Sequence, residues 1–142
     1  MTRQFFRQME TRQRGDRIEL TEFIDHLSWS EQQLIPVVTQ QYDSGEVLMV
    51  AWMNAESLRL TLEEGWVTYW SRSRQCLWRK GETSGNRQRL IELRADCDGD
   101  TLLCLADQQG PACHTGRDNC FYYTMLPHSG EVVVNASQPE TA

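Results

Sequence analysis

Arg87-Gln88-Arg89-Leu90-Ile91-Glu92-Leu93-Arg94-Ala95-Asp96-Cys97-Asp98-Gly99-Asp100-Thr101-Leu102-Leu103-Cys104-Leu105-Ala106-Asp107 is the stretch on which the fold turns. Residues 87–95 and 101–107 alternate well enough to be strands, and the segment between them has the Asp and Gly composition of a turn. A turn carried between two paired strands is held rigidly, as ligand geometry requires. Working outward, the apolar runs Leu34 to Tyr42 and Val47 to Met53 flank Asp43-Ser44-Gly45-Glu46, which predicts a hairpin. Asn54 offers an N-cap, Leu58 and Leu62 lie one turn apart, and Gly65 stands where a helix ends, so Ala55 to Glu64 is read as a helix. Leu20, Phe23, Ile24 and Leu27 predict a short amphipathic helix within Ile18 to Trp29. Val67 to Ser71 and Phe121 to Leu126 read as further strands. The fold class expected is α+β, predominantly short antiparallel strands with one or two helices.

With 142 residues, 39% of them hydrophobic and 24% charged, the chain suits one compact domain. Its expected span is 18–130. Residues 1–17 form a polar extension around Phe5 and Phe6, expected to be frayed, disordered or helical, and residues 131–142 a polar C-terminal tail that opens on Val132-Val133-Val134. A formal charge of −6 argues against general affinity for nucleic acid or acidic membranes. No stretch approaches the roughly twenty apolar residues of a membrane span, and the first residues lack the apolar core of a signal peptide. A cytoplasmic protein is expected, whose five cysteines are thiols or metal ligands rather than staples.

Ligand chemistry is concentrated between Asp96 and Cys120: Asp96, Asp98 and Asp100, then Cys113-His114 and Cys120, with Cys97 inside the acidic run. If 96–100 is extended, its three carboxylates share one face and Cys97 points to the other. Carboxylates so placed repel unless a cation sits among them. Oxygen ligands suit Mg²⁺ or Ca²⁺, and a thiolate suits Zn²⁺. A calcium loop needs its glycine sixth, whereas Gly99 is fourth. A solvated acidic turn explains the same spacing about as well. The cysteine spacings match no zinc knuckle and are a weak signal alone, while His114 fits a fourth ligand, a general base or a polar loop residue.

Positive charge is gathered elsewhere. Between Ser71 and Arg89 stand Arg72, Arg74, Arg79, Lys80, Arg87 and Arg89 against the single acid Glu82. With Thr83-Ser84-Gly85-Asn86, whose hydroxyls and backbone N–H groups can face an anion, this is a candidate phosphate cradle, and Trp70 and Trp78 are candidate platforms for a base. On composition alone, a solvated strand face over core tryptophans is the better account.

The runs Tyr69-Trp70-Ser71-Arg72-Ser73-Arg74, Leu77-Trp78-Arg79-Lys80-Gly81-Glu82-Thr83-Ser84-Gly85-Asn86, Asp96 to Asp100, and Gly110-Pro111-Ala112-Cys113-His114-Thr115-Gly116 with Cys120-Phe121 resemble the phosphoribosyl-AMP cyclohydrolase family of histidine biosynthesis, in the same order and with matching spacing. The resemblance runs from about Leu34 to Tyr122. It implies a hydrolase that opens the N1–C6 bond of adenine in 1-(5-phosphoribosyl)-AMP, giving a formimino imidazole carboxamide ribotide, with a zinc-activated water as the attacking group. It implies zinc on Cys97, Cys113 and Cys120, with Cys97 coming from one subunit of an intertwined homodimer and the other two from its partner. It implies magnesium on Asp96, Asp98 and Asp100, proton transfer by His114, and substrate contacts from Arg72, Arg74, Trp78, Arg79, Lys80, Thr83, Ser84 and Asn86. In some members a pyrophosphohydrolase domain follows; with sixteen residues after Leu126, a monofunctional chain is expected.

Three rivals make different demands. A zinc base deaminase needs H-x-E and P-C-x-x-C, of which only Pro111-Ala112-Cys113 is a partial echo. A zinc module for nucleic acid would use the basic segment and a closed four-ligand site. A cysteine hydrolase would need the adjacent Cys113 and His114 to orient as nucleophile and base, which neighbours in sequence seldom do.

Overall fold

The computed structural model describes residues 2–140. Two short helices, α1 (Thr2–Met9) and α2 (Leu20–Asp25), precede β1 (Ile35–Gln41), β2 (Val47–Met53), α3 (Ala55–Glu64), β3 (Thr68–Ser71), β4 (Cys76–Arg79), β5 (Gln88–Ala95), β6 (Leu102–Gln108), β7 (Tyr123–Leu126) and β8 (Glu131–Val134). The fold is α+β, with few helices and short strands. A four-stranded sheet has the order β2-β1-β6-β5, while β3 with β4 and β7 with β8 make two-stranded ribbons. All pairs are antiparallel except β1 with β6, which run parallel from Val37 opposite Leu102 to Gln41 opposite Ala106.

Local chemistry explains the elements that position the site. At the start of α3 the Ser57 N–H donates to Asn54 Oδ1 at 2.8 Å and the Asn54 N–H donates to Ser57 Oγ at 2.9 Å, a reciprocal cap worth about 1 kcal/mol. Gly65 closes the helix in the left-handed conformation, at φ 80°. Thr61 Oγ1 accepts from the Thr68 N–H at 3.0 Å, which fixes α3 to β3. The helix expected within Ile18 to Trp29 is realised only over Leu20–Asp25, because the Trp29 indole N–H donates to the Ile24 carbonyl at 3.0 Å and turns the chain back. In β1 and β6, Ile35, Val37, Thr39, Leu102, Cys104 and Ala106 point inward and are buried. Leu27, Leu58, Met53 and Tyr69 pack with them, and Phe5 and Phe6 of α1 join the same core. Each fully buried aliphatic chain contributes roughly 1.5–3 kcal/mol.

A buried polar chain crosses this core. Thr39 Oγ1 and Tyr69 Oη lie 2.6 Å apart, Tyr69 Oη donates to Gln88 Oε1 at 2.6 Å, Gln88 Nε2 donates to Gln108 Oε1 at 2.8 Å, and Gln108 Nε2 reaches the Asn86 carbonyl at 3.2 Å. Burial raises the Tyr69 phenol well above its ordinary range, so it stays protonated and donating. The ribbon of β7 and β8 is different: Tyr123, Met125, Val132, Val133 and Val134 are all exposed on it.

Candidate metal and substrate site

Strand β4 was not legible as a strand in the sequence, yet it sets the site. Tyr69 of β3 stands opposite Trp78 of β4, and the chain leaves β4 into Gly81-Glu82-Thr83-Ser84-Gly85-Asn86. Gly81 has φ 78°, and a side chain there would overlap the backbone of Asn86 and Arg87. The loop closes on itself through the Gly85 N–H, which donates to the Gly81 carbonyl at 2.8 Å, and through the Asn86 N–H, which donates to Ser84 Oγ at 3.2 Å. A cleft of about 410 Å³ opens beside it. Six of the eight expected substrate contacts line this cleft: Arg74, Trp78, Lys80, Thr83, Ser84 and Asn86. The other two lie elsewhere. Arg72 places its guanidinium 4.5 Å above the Trp52 ring, and Arg79 pairs with Glu64 of α3.

Cys113 and His114 line the same cleft from its other wall. Gly110-Pro111 ends β6, and the following loop folds over itself through the Cys113 N–H to Arg117 carbonyl bond at 3.1 Å and the Gly116 N–H to Cys113 carbonyl bond at 3.0 Å. The Cys120 N–H donates to the Leu48 carbonyl of β2 at 2.8 Å, which ties the far end of the loop to the main sheet. Lys80 is 9% exposed, and its Nζ donates to the Ala112 carbonyl at 2.5 Å. Burial pulls the Lys80 ammonium down, against the attraction of the Cys120 and Cys113 sulfurs. Desolvation acts to raise the Cys113 thiol, but the Thr115 hydroxyl, donating to Sγ at 3.1 Å, and the contact with Cys120 bring it below its ordinary value. Desolvation and the Cys113 sulfur push Cys120 up to about 11. Two sulfurs in contact beside a buried ammonium are a donor pair suited to a soft metal. His114 is exposed at the mouth.

Between β5 and β6 the acidic segment takes the turn that its composition predicts rather than the extended form. It is a tight turn, with Gly99 at φ 65° and Asp96 Oδ1 accepting from the Asp100 N–H at 3.0 Å and the Thr101 N–H at 3.3 Å. Alternation of side chains fails in such a turn, so Cys97 does not point away from the carboxylates: Cys97, Asp98 and Asp100 line one cleft. Burial works against the Asp96 carboxylate, yet hydrogen bonds from Asp100, Thr101 and Gly99 hold it below its ordinary value, while the Asp96 side chain beside Asp100 raises the latter. Two carboxyls in contact, one of them resisting ionisation, suit Mg²⁺, which takes one or two protein carboxylates and fills its octahedron with water or phosphate. Among the described residues no three His, Cys, Asp or Glu side chains converge as a metal cluster, so Cys97 stands apart from Cys113 and Cys120 within one chain.

Three features of the site escaped the sequence: the lysine bound to the Ala112 carbonyl, the polar chain that ends on Asn86, and the packing of α1 on the acidic turn. The first two depend on long-range contacts with no local signature. The third had one, the Phe5-Phe6 pair in an otherwise polar extension.

The family model described as phosphoribosyl-AMP cyclohydrolase matches residues 49–122. The phosphoribosyl-AMP cyclohydrolase of Alkalilimnicola ehrlichii is 55% identical over 138 residues, covering 96% of this chain and 96% of the relative. Phosphoribosyl-AMP cyclohydrolase 2 of Pseudomonas fluorescens is 60% identical over 119 residues, or 84% of this chain and 81% of the relative. The phosphoribosyl-AMP cyclohydrolase of Halorhodospira halophila is 53% identical over 133 residues, or 94% and 92%.

Proposed function

The chain belongs to the phosphoribosyl-AMP cyclohydrolase family, and on that premise we propose that it catalyses hydrolytic opening of the adenine ring of 1-(5-phosphoribosyl)-AMP, a step of L-histidine biosynthesis. The observation that carries this reading is a single cleft holding a glycine-closed Thr83-Ser84 loop, Trp78 and Arg74 on one wall and Cys113 with His114 on the other. A nucleotide with two phosphates needs the first wall, and hydrolysis at a purine carbon needs the second.

Arg74 and the Thr83 and Ser84 hydroxyls bind a phosphate of the substrate, with the loop's backbone N–H groups adding donors. Trp78 offers a face to the base. Lys80 is spent inside the protein, its ammonium holding the Ala112 carbonyl and facing the two sulfurs. Cys113 and Cys120 would hold zinc, together with Cys97 of the partner subunit, since one chain keeps its own Cys97 away from them. When bound, zinc supplies the acidity that brings a water's pKa to about 7. His114 takes a proton from the water as its oxygen bonds to C6; as the N1–C6 bond breaks, N1 gains a proton and C6 becomes the carboxamide. Asp96, Asp98 and Asp100 would hold magnesium.

A homodimer is part of this proposal. Two-stranded ribbons are marginal alone in water, and the ribbon of β7 and β8, which follows directly on Cys120 and Phe121, leaves its apolar side chains exposed. Association of two copies would cover it and complete the thiol set. The setting proposed is the cytoplasm, where the five cysteines, all unpaired in this structure, stay reduced.

The test is zinc analysis of the purified protein together with ultraviolet absorbance on N1-phosphoribosyl-AMP, with and without a chelator. About one zinc per chain and chelator-sensitive ring opening are expected. Stoichiometric zinc with no turnover would sink the enzymatic reading in favour of a binding module.

A further inference from the structure

The acidic turn is gripped from outside the span that the family model matches. That match begins at residue 49, whereas the groups on the turn come from residues 6–28. The Ser28 N–H donates to the Gly99 carbonyl at 2.7 Å, and Ser28 Oγ donates to the Asp98 carbonyl at 2.9 Å. The Phe6 ring lies against Gly99, so that any side chain at 99 would overlap it. Phe6 is 6% exposed, and it is braced edge-on by Phe5 at 5.1 Å and Phe23 at 5.5 Å. Phe5 in turn stacks on His26 at 4.2 Å. Arg7 and Glu10 form the opposite wall of the cleft of about 620 Å³ that Cys97, Asp98 and Asp100 line.

A short turn at the end of an edge strand, carrying two carboxyls in contact, is a place where a chain opens locally. Within the turn itself Asp96 Oδ1 accepts from the Asp100 and Thr101 N–H groups, and the Gly99 N–H donates to the Asp96 carbonyl at 3.1 Å. We propose that α1 is a clamp on this turn: Phe6 seated on Gly99, with Ser28 on the backbone beside it, holds Cys97, Asp98 and Asp100 facing one cleft before a divalent cation arrives. The cation rests on the reading of the turn given above; the clamp does not. Phe6 is thus a positioning residue, acting through Gly99. The turn needs glycine for two separate reasons, the positive φ and the ring above it.

Amide hydrogen exchange on the full chain tests the clamp directly. In Phe6→Ala the Asp100 and Thr101 amides should exchange about tenfold faster while the amides of β1 and β6 keep their rates, and Phe6→Leu should recover most of the protection. Unchanged exchange at the turn overturns the proposal. Gly99→Ala should disturb the turn strongly in the wild-type background and much less on top of Phe6→Ala, where the ring is gone; additive effects would also overturn it. If Phe6→Ala fails to fold, Ser28→Ala, which removes only the hydroxyl bond to the Asp98 carbonyl, should still speed exchange at the turn, and unchanged rates there overturn the proposal. Manganese binding, followed by the electron paramagnetic resonance of free Mn²⁺, should weaken several-fold in Phe6→Ala and recover in Phe6→Leu, a change that loss of stability alone does not produce in folded protein. Equal affinity in all three proteins counts against the clamp. Wild-type protein that binds no Mn²⁺ would remove the metal reading of the turn, leaving the exchange rates to decide the clamp.

Discussion

The thiol loop at 110–120 and the acidic turn at 96–100 are both short, glycine-containing and rich in ligands, yet they are held by opposite means. The thiol loop is fixed from within the fold: Lys80 bonds the Ala112 carbonyl, Cys120 is tied to β2, and the Gln88 and Gln108 side chains run through the core to the neighbouring Asn86 carbonyl. The acidic turn hangs at the end of β5 and β6 and is held by the N-terminal segment. Electrostatics differ likewise. A buried cation faces two sulfurs in the first, while in the second two carboxyls press on each other, with Arg7 and Glu10 across the cleft. The first is tied into the core sheet, while in the second a bound cation would relieve the repulsion between the carboxyls.

If the two are halves of one shared site, the sharpest break comes from removing a sulfur. Cys113→Ser should release zinc and lower turnover by about a thousandfold or more, since the acidity of the metal is lost. Metal analysis beside a steady-state assay checks it, and an active, zinc-replete variant would remove the ligand assignment. Co-expression of Cys97→Ser with Cys113→Ser chains should restore roughly a quarter of wild-type activity, because half the dimers are mixed and each mixed dimer has one intact site. Absence of recovery would argue that each chain carries its site alone. Lys80→Met should come next. It leaves the Ala112 carbonyl without its partner and the sulfurs without their cation, with a loss of about 1–3 kcal/mol in urea unfolding and about 10–100-fold weaker zinc in chelator competition. Asp98→Ala acts on the other half: zinc content is unchanged, and the magnesium concentration needed for half activity rises several-fold.

The same contrast shows what a sequence can disclose. Alternation, Asn54, Gly65 and the Asp43 to Glu46 turn are local signals, and the β1–β2 hairpin, α3 and the β5–β6 pair follow from them. The cradle's residue types were legible too, because a glycine-closed Thr83-Ser84 loop beside basic residues is a local pattern. What was not legible is long-range. The parallel β1–β6 pair joins strands distant in sequence, Arg79 turns to Glu64 of a helix that precedes it, and Arg72 turns to Trp52. Of the two shapes open to the acidic segment the turn holds, because Gly99 and the Asp96 side chain fold it, and the period of two on which the facing of Cys97 was based does not apply.

The smallest effect concerns the two cysteines that neither region uses. Cys104 lies in β6 with no exposed surface, and burial pushes its thiol up to about 12. Cys76 is exposed at the start of β4, on the far side of the ribbon's turn from the cradle loop. The thiolate is the reactive form, and a thiol reagent meets only what water meets. Brief alkylation of native protein at pH 8, mapped by mass spectrometry, should therefore modify Cys76 and leave Cys104 untouched until denaturant is added. Blocking Cys76 should change turnover less than twofold, since its side chain lines neither cleft. A large loss of activity on modifying Cys76 alone would mean that a group at this end of β4 disturbs the phosphate contact of Arg74 two residues away, and the β3–β4 turn would join the thiol loop and the acidic turn as a region whose exact shape sets activity.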